Sequence, residues 1–294
     1  MAAVTVIGGS GRMGAWFANF LSANGYDVIT CDKNLSACRT LAKKNGFKFV
    51  KNPLKAAQLS EIVLLATPTP VTKSLLESIA SHTTKTQLLV EISSIKKPVK
   101  KTIRTLTRRG AKILSIHPMF GPGARSLKGK SIIVAHEPHG SAPARRLLTI
   151  LNKRGGRIIR STLDNHDQLM ATTLALPHLM NVAFIETIKR AGLSLDEARE
   201  MGGTTFKLQL LIAEALYHES TGNEASILAD NKYNKSTFAT FVQRVNQVRG
   251  LTQHKTQSEL LNRLRNDGAY VRNSKLFDRA HERFLAAVEA STSS

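Results

Sequence analysis

Cysteine is scarce in this chain: Cys31 and Cys38 are the only two among 294 residues. Two thiols make no disulfide framework, and their spacing is not that of a metal site. No apolar run is long enough to suggest a bilayer span. The first strand pattern begins within four residues of Met1, which leaves no room for a signal peptide. These absences point to a reducing, cytoplasmic setting without membrane contact. Acidic residues are missing from Ile92 to His136, while Lys and Arg recur from Lys96 to Lys130, and the net charge reaches +21. Such an excess permits nucleic-acid binding. However, the basic residues have no interleaved aromatics and no DNA- or RNA-binding motif is present, so nucleic acid is disfavoured. The alternative is a solvated basic face whose field concentrates small anions. Internal repeats are absent, and low complexity is confined to the Ser/Thr tail at Ser291–Ser294.

What is present is an alternation of strands and helices in the first half. Runs of Val, Ile and Leu predict strands at Val4–Gly8, Asp27–Thr30, Phe47–Val50, Ile62–Ala66, Leu88–Ile92, Lys112–Ile116, Ser131–Ala135 and Arg157–Arg160. Helical patterns at Val71–Ala80, Pro98–Arg109 and Ala142–Arg154 separate many of them. Continuous apolar strands are those of a sheet covered on both faces. The fold class is therefore α/β, an N-terminal doubly wound Rossmann-type parallel sheet over residues 1–163. From Asp164 the period changes to helical, giving an all-helical C-terminal domain over residues 164–294. Pro177 should kink or break its first helix, and Ser194 with Glu197 reads as a capping box. Apolar stripes follow at Phe238, Phe241, Val242, Val245 and Val248, and at Leu276, Phe277, Ala280, Phe284 and Val288. These are core, or in part a homodimer interface through the helical domain.

The first strand runs directly into Gly9-x-Gly11-x-x-Gly14, a helix follows, and the next strand ends at Asp32. Glycines at this spacing permit a tight turn and let a pyrophosphate reach the helix N-terminus. Gly9, Ser10, Gly11, Arg12, Met13 and Gly14 are thus cofactor-binding candidates. Asp32 is placed to hydrogen-bond an adenosine ribose and to repel a 2′-phosphate, which favours NAD. Lys33 and Arg12 lie close by and keep NADP open. In open α/β sheets, ligands sit beyond the carboxyl ends of the strands. There the chain places Thr67 and Pro68, then Ser93 and Ser94, then His117 followed by Pro118, Met119, Phe120 and Gly121. A histidine beside a nicotinamide can take a hydroxyl proton while hydride leaves the carbon, and its ordinary pKa of about 6.5 suits that task. The alternative for His117 is a structural histidine capping a turn. His166 and His178 fall near the domain junction, a usual place for a cleft. The remaining histidines, at 82, 136, 139, 218, 254 and 281, read as structural or surface residues. His136 and His139 lack the HExxH spacing, so no metal is expected.

GGSGRMG at Gly8–Gly14, LLATPTP at Leu64–Pro70, EISSIK at Glu91–Lys96, SIHPMFGPG at Ser115–Gly123 and HDQLMATTLALPH at His166–His178 together resemble the prephenate dehydrogenase family of tyrosine biosynthesis. The resemblance covers most of the chain. It implies NAD-dependent oxidative decarboxylation of prephenate to 4-hydroxyphenylpyruvate. By motif match, His117 would be the catalytic base. Ser94 would orient His117 and the substrate. Ser93, Gly121, His166 and His178 would line the substrate and cofactor cleft.

Two positions depart from the family pattern. The family usually grips a substrate carboxylate with an arginine on a helix of the second domain, where the best match here is Lys207. Lysine is a point charge without the bidentate fork, and Arg125 is a second candidate. Many members also carry an acid shortly after the HP motif, where this chain has Gly123. Neither a chorismate mutase segment before the dehydrogenase nor a regulatory domain after it is expected. The rival enzymatic readings are arogenate dehydrogenase, or another NAD(P)-dependent hydroxyacid-type dehydrogenase, which would need a catalytic lysine in the helical domain. The rival of another class is a non-catalytic, dinucleotide-sensing nucleic-acid binder.

Overall fold

All eight predicted strands form, and they join one sheet in the order β3-β2-β1-β4-β5-β6-β7-β8. The computed structural model describes residues 2–82, 84, 86–218, 221–253 and 257–292. His254 and the last two residues of the Ser/Thr tail lie outside the described residues. The chain divides into two units, Met1–Met170 and Ala171–Ser294.

In the first unit the order is β1 (Ala3–Ile7), α1 (Arg12–Ser22), β2 (Asp27–Cys31), α2 (Leu35–Asn45), β3 (Lys48–Phe49), α3 (Pro53–Gln58), β4 (Ile62–Leu65) and α4 (Thr69–Ala80). It continues with β5 (Leu88–Glu91), α5 (Lys97–Arg108), β6 (Lys112–Pro118), β7 (Ser131–His136), α6 (Ala142–Lys153), β8 (Arg157–Arg160) and α7 (Leu163–Met170). Side chains alternate between the two sheet faces, and both faces are buried. Val4, Val6, Ile62 and Leu64 pack with Phe17 and Leu21 of α1 and with Leu147 and Leu151 of α6. Ile7, Val63 and Leu65 pack on the other side with Leu76 and Ile79 of α4 and Val99 and Ile103 of α5. This double burial is why the strand runs are continuously apolar. One pairing departs from the parallel pattern: β7 runs antiparallel to β6. A parallel return needs a crossover, usually a helix, and residues 119–130 contain none. Helix α4 starts two residues earlier than the apolar pattern indicates, because Pro70 sits in its first turn, where a missing N–H costs nothing.

The second unit is helical. A π-helical turn (Ala171–Ala175) leads into α8 (Leu176–Arg190), then α9 (Leu195–Met201), α10 (Thr204–His218), α11 (Thr221–Ala229), α12 (Asn234–Gln253), α13 (Gln257–Arg272), a 3-10 turn at Phe277–Arg279, and α14 (Ala280–Thr292). The regular α-helical ladder is interrupted just ahead of Pro177, which lies in the first turn of α8. The π turn widens the ladder just before it, which makes room for the ring against the carbonyl four residues back. The capping box forms, with Ser194 accepting from the Glu197 N–H. Among the described residues, one core cluster holds Ile188, Ala198 and Leu210 with Phe184, Ile185, Leu195 and Phe206 around them. Much of the predicted α12 stripe faces outward, with Val242 51 % exposed. By length and composition alone, Leu163–Arg190 would suffice to cross a bilayer. This differs from the reading of continuous runs, because Thr172, Thr173, His178 and Asn181 interrupt the apolar residues without lowering their average much.

Candidate functional site

The glycine turn is built by backbone hydrogen bonds. Gly8 and Gly9 N–H groups donate to the Cys31 carbonyl at 2.9 and 3.1 Å. Gly8 has φ +83°, and a Cβ on it would fall 2.3 Å from the Ala66 carbonyl oxygen. A Cβ on Gly14 would fall 2.0 Å from the Gly8 oxygen, so no other residue lets α1 pack this close to the turn. No side chain caps α1. Asp32, at the end of β2, accepts from the backbone N–H of Ser10 and of Asn34, both at 3.0 Å. Its carboxylate is therefore held at the rim of the turn. A cavity of about 650 Å³ opens here, lined by Ser10, Gly11, Asp32, Lys33, Thr67 and Pro68 among others. Thr67 is fixed by Thr72, whose hydroxyl donates to the Thr67 carbonyl at 2.9 Å. Arg12 and Met13 open α1 beside this rim.

Strands β1, β4, β5 and β6 are mutually parallel, so their carboxyl ends share one sheet edge. His117 stands there, 4 % exposed. Burial, then His166, then Lys96 hold its pKa well below the usual 6.5, so the imidazole is neutral at physiological pH. Its Nδ1 lies 3.0 Å from His166 Nε2. His166 Nδ1 in turn lies 2.8 Å from Asp167 Oδ1. Asp167 also accepts from the backbone N–H groups of Lys96 and Lys97, at 2.8 and 2.7 Å. Burial pushes its carboxyl up, but the hydrogen bonds from His166 and from these two amides outweigh it and hold the pKa low.

Beneath His117 lies a second polar knot. Lys96 Nζ donates to Glu91 Oε1 and to the Ile116 carbonyl, both at 2.7 Å. The Ser115 hydroxyl and the Ser93 N–H also donate to Glu91. Among the described residues, the buried Ser93 hydroxyl has no hydrogen-bond partner. The loop after His117 is anchored by Trp16, whose indole donates to the Ala124 carbonyl at 2.7 Å and whose ring sits 4.9 Å from Phe120. Gly121 lies within that loop, and Arg125 is exposed on it.

The residues named from sequence are thus partly reassembled. Ser94 is half-buried in the loop between β5 and α5, and the Nδ1 partner of His117 is His166. His166 is fully buried and bridges His117 to Asp167. Glu91, Lys96, Ser115, Asp167 and Trp16 were missed as site residues. The signal was present in part, since Glu91 interrupts an otherwise apolar strand. In the second unit, His178 Nδ1 lies 2.8 Å from the Leu174 carbonyl and Nε2 lies 2.6 Å from Glu224 Oε2. Lys207 lies half-buried in the first turn of α10. Among the described residues, no cluster of three or more His, Cys, Asp or Glu could hold a metal ion.

Two family models match: "Prephenate dehydrogenase, nucleotide-binding domain" over residues 17–160 and "Prephenate dehydrogenase, dimerization domain" over residues 162–266. The chain is 26% identical over 254 residues to a probable arogenate/prephenate dehydrogenase of Methanocaldococcus jannaschii, covering 86% of this chain and 57% of that protein. It is 25% identical over 251 residues to the T-protein of Enterobacter agglomerans, covering 85% of this chain and 62% of that protein. The chain therefore spans about three fifths of these curated relatives, 57% and 62% of their lengths. Among solved structures, Aquifex aeolicus prephenate dehydrogenase in complex with hydroxyphenyl propionate and NAD+ shares the fold. Its TM-score is 0.74 at 17% identity, covering 92% of this chain and 97% of that one. Synechocystis arogenate dehydrogenase superposes with a TM-score of 0.70 at 19% identity, covering 91% of this chain and 98% of that one. With a nucleotide-binding unit carrying a buried histidine at its sheet edge, and a helical unit matched by the dimerization model, this chain belongs to the prephenate dehydrogenase family.

Proposed function

We propose that this dehydrogenase-family chain oxidises prephenate with NAD, releasing carbon dioxide and 4-hydroxyphenylpyruvate. The carrying observation is His117: a buried, neutral imidazole on the sheet edge that also bears the glycine turn. The site fits a dinucleotide. Gly8 and Gly14 sit where a Cβ would collide with backbone, and the carboxylate of Asp32 faces the 650 Å³ cavity as a ribose acceptor. When bound, the nicotinamide accepts the hydride. His117 receives the hydroxyl proton as the ring carbon is oxidised, aromatisation drives loss of the carboxylate as carbon dioxide, and the phenolate oxygen so formed takes a proton back to give the product hydroxyl. The protein's share is positioning and stabilisation of developing charge. A positive field concentrates the dicarboxylate substrate. The helical unit, whose α12 face is exposed, serves as the homodimer contact, and the buried free thiols Cys31 and Cys38 suit a reducing, cytoplasmic setting.

Arogenate is the second reading, favoured by one observation: Glu224 lies 2.6 Å from His178, and an acid beside a substrate residue is what an ammonium requires. The deciding experiment supplies purified protein with NAD and either prephenate or arogenate, and follows reduced nicotinamide by absorbance. Reduction with prephenate alone supports the proposal, preference for arogenate replaces the substrate, and no reduction with either overturns both readings.

Two substitutions probe the binding residues. Asp32→Ala is expected to weaken NAD binding by about tenfold, the value of a charge-assisted hydrogen bond, and to narrow the gap to NADP. Titration with both cofactors checks it, and an unchanged preference removes Asp32 as the selector. Lys207→Ala is expected to raise KM for the substrate by about tenfold or more at little cost in kcat. An unchanged KM transfers the carboxylate grip to Arg125.

A further inference from the structure

The three side chains His117, His166 and Asp167 form an unbroken hydrogen-bonded line, and its polarity follows from the donor inventory. Asp167 is ionised and accepts only. His166 Nδ1, 2.8 Å away, must therefore carry a proton. Burial lowers the His166 pKa despite the neighbouring carboxylate, so that ring is neutral and its Nε2 bears the lone pair. His117 Nδ1, 3.0 Å from that lone pair, must then be the protonated nitrogen of its own neutral ring. The lone pair of His117 is left on Nε2, the one nitrogen able to act as a base.

We propose that His166 and Asp167 are positioning residues that lock His117 in the Nδ1–H tautomer, presenting Nε2 as the acceptor for the substrate proton. This rests on the reading of His117 as the base, and it gives to a buried histidine and a buried carboxylate the orienting role that the motif match assigned to Ser94. Asp167 is itself held by the amides of Lys96 and Lys97, so the line ends on rigid backbone at the start of α5. Lys96 and Glu91, which are paired with each other, also face it. Proton uptake at Nε2 places positive charge on His117, and the chain passes that charge's stabilisation to the Asp167 carboxylate without moving a proton onto it.

The test uses the full chain, uniformly labelled with nitrogen-15 at histidine, and reads tautomers from long-range proton–nitrogen couplings. The His117 signal is identified by its loss in His117→Asn. The expected wild-type result is a neutral Nδ1–H ring at His117. An Nε2–H ring there overturns the proposal, whatever the activity. Two variants add a functional readout. His166→Phe removes the acceptor and is expected to lower kcat by about 100-fold while leaving NAD affinity in place. His166→Gln restores an acceptor oxygen near the Nε2 position and is expected to recover tenfold or more of that loss. Equal kcat values in the two folded variants overturn the positioning role. An Nδ1–H ring in a wild-type protein that oxidises neither prephenate nor arogenate overturns the functional proposal and leaves the hydrogen-bonded line intact.

Discussion

Replacing His117 by asparagine is expected to lower turnover by about 10²- to 10⁴-fold, the usual contribution of a positioned general base, while NAD affinity stays nearly constant. Asparagine keeps a polar group of similar size at the end of β6 but has no titratable lone pair. On the proposed reading the glycine turn and Asp32 hold the dinucleotide independently of that side chain, so binding and chemistry should separate. Steady-state kinetics with a NAD titration check it, and near-normal turnover removes His117 as the base. The wild-type pH profile carries a second expectation. The His117 pKa lies well below 6.5, and a base is active only when unprotonated. The acid limb of kcat/KM for His117 therefore falls below pH 6.5, and activity stays level through the range where an exposed histidine titrates. Stability follows the same sign. Below pH 6.5 the unfolded chain binds more protons at this site than the folded one, so the folded state loses stability as pH falls.

The second large effect concerns stability. Lys96→Ala is expected to cost about 3–5 kcal/mol, the penalty for breaking a buried ion pair by removing one partner. Lys96 and Glu91 side chains are both 0 % exposed. Without the ammonium, the Glu91 carboxylate keeps the Ser115 hydroxyl and the Ser93 amide but faces no positive charge in a dry interior. The double change Lys96→Met with Glu91→Leu removes both charges and is expected to recover much of the loss, because apolar packing replaces the desolvated pair. Urea unfolding of the two variants against the wild type measures this. A single variant as stable as the wild type refutes the account.

Much of the first unit is readable from local pattern. Strands buried on both faces are apolar at nearly every position, so Ile62–Leu65 and Leu88–Val90 announce themselves. The glycine turn is legible because only glycine survives where Gly8 and Gly14 stand. Features set by distant contacts are not. Nothing near His166 or Asp167 reveals that they fold back onto the amides of Lys96 and Lys97, because that contact spans about seventy positions, 71 for Lys96 and Asp167. The reversal of β7 rests on a missing crossover rather than on any residue. The α12 stripe has the periodicity of a core helix, yet periodicity cannot say whether its face meets the same chain or another. Pro177 announces an irregularity in the helix, but not that it takes the form of a π turn at Ala171–Ala175 ahead of the ring.

The line from His117 to Asp167 has a consequence for how such a chain can be divided. The nucleotide-binding match stops at residue 160 and the next begins at 162, whereas His166 and Asp167 come later, on α7. Cutting or recombining at that seam would leave the sheet, the glycine turn and His117 together, but would strip the imidazole of the groups that orient it. On the proposed reading, a chimera joined there inherits its base from one parent and the base's orientation from the other. Modular exchange between members is therefore constrained to keep α7 with its own sheet.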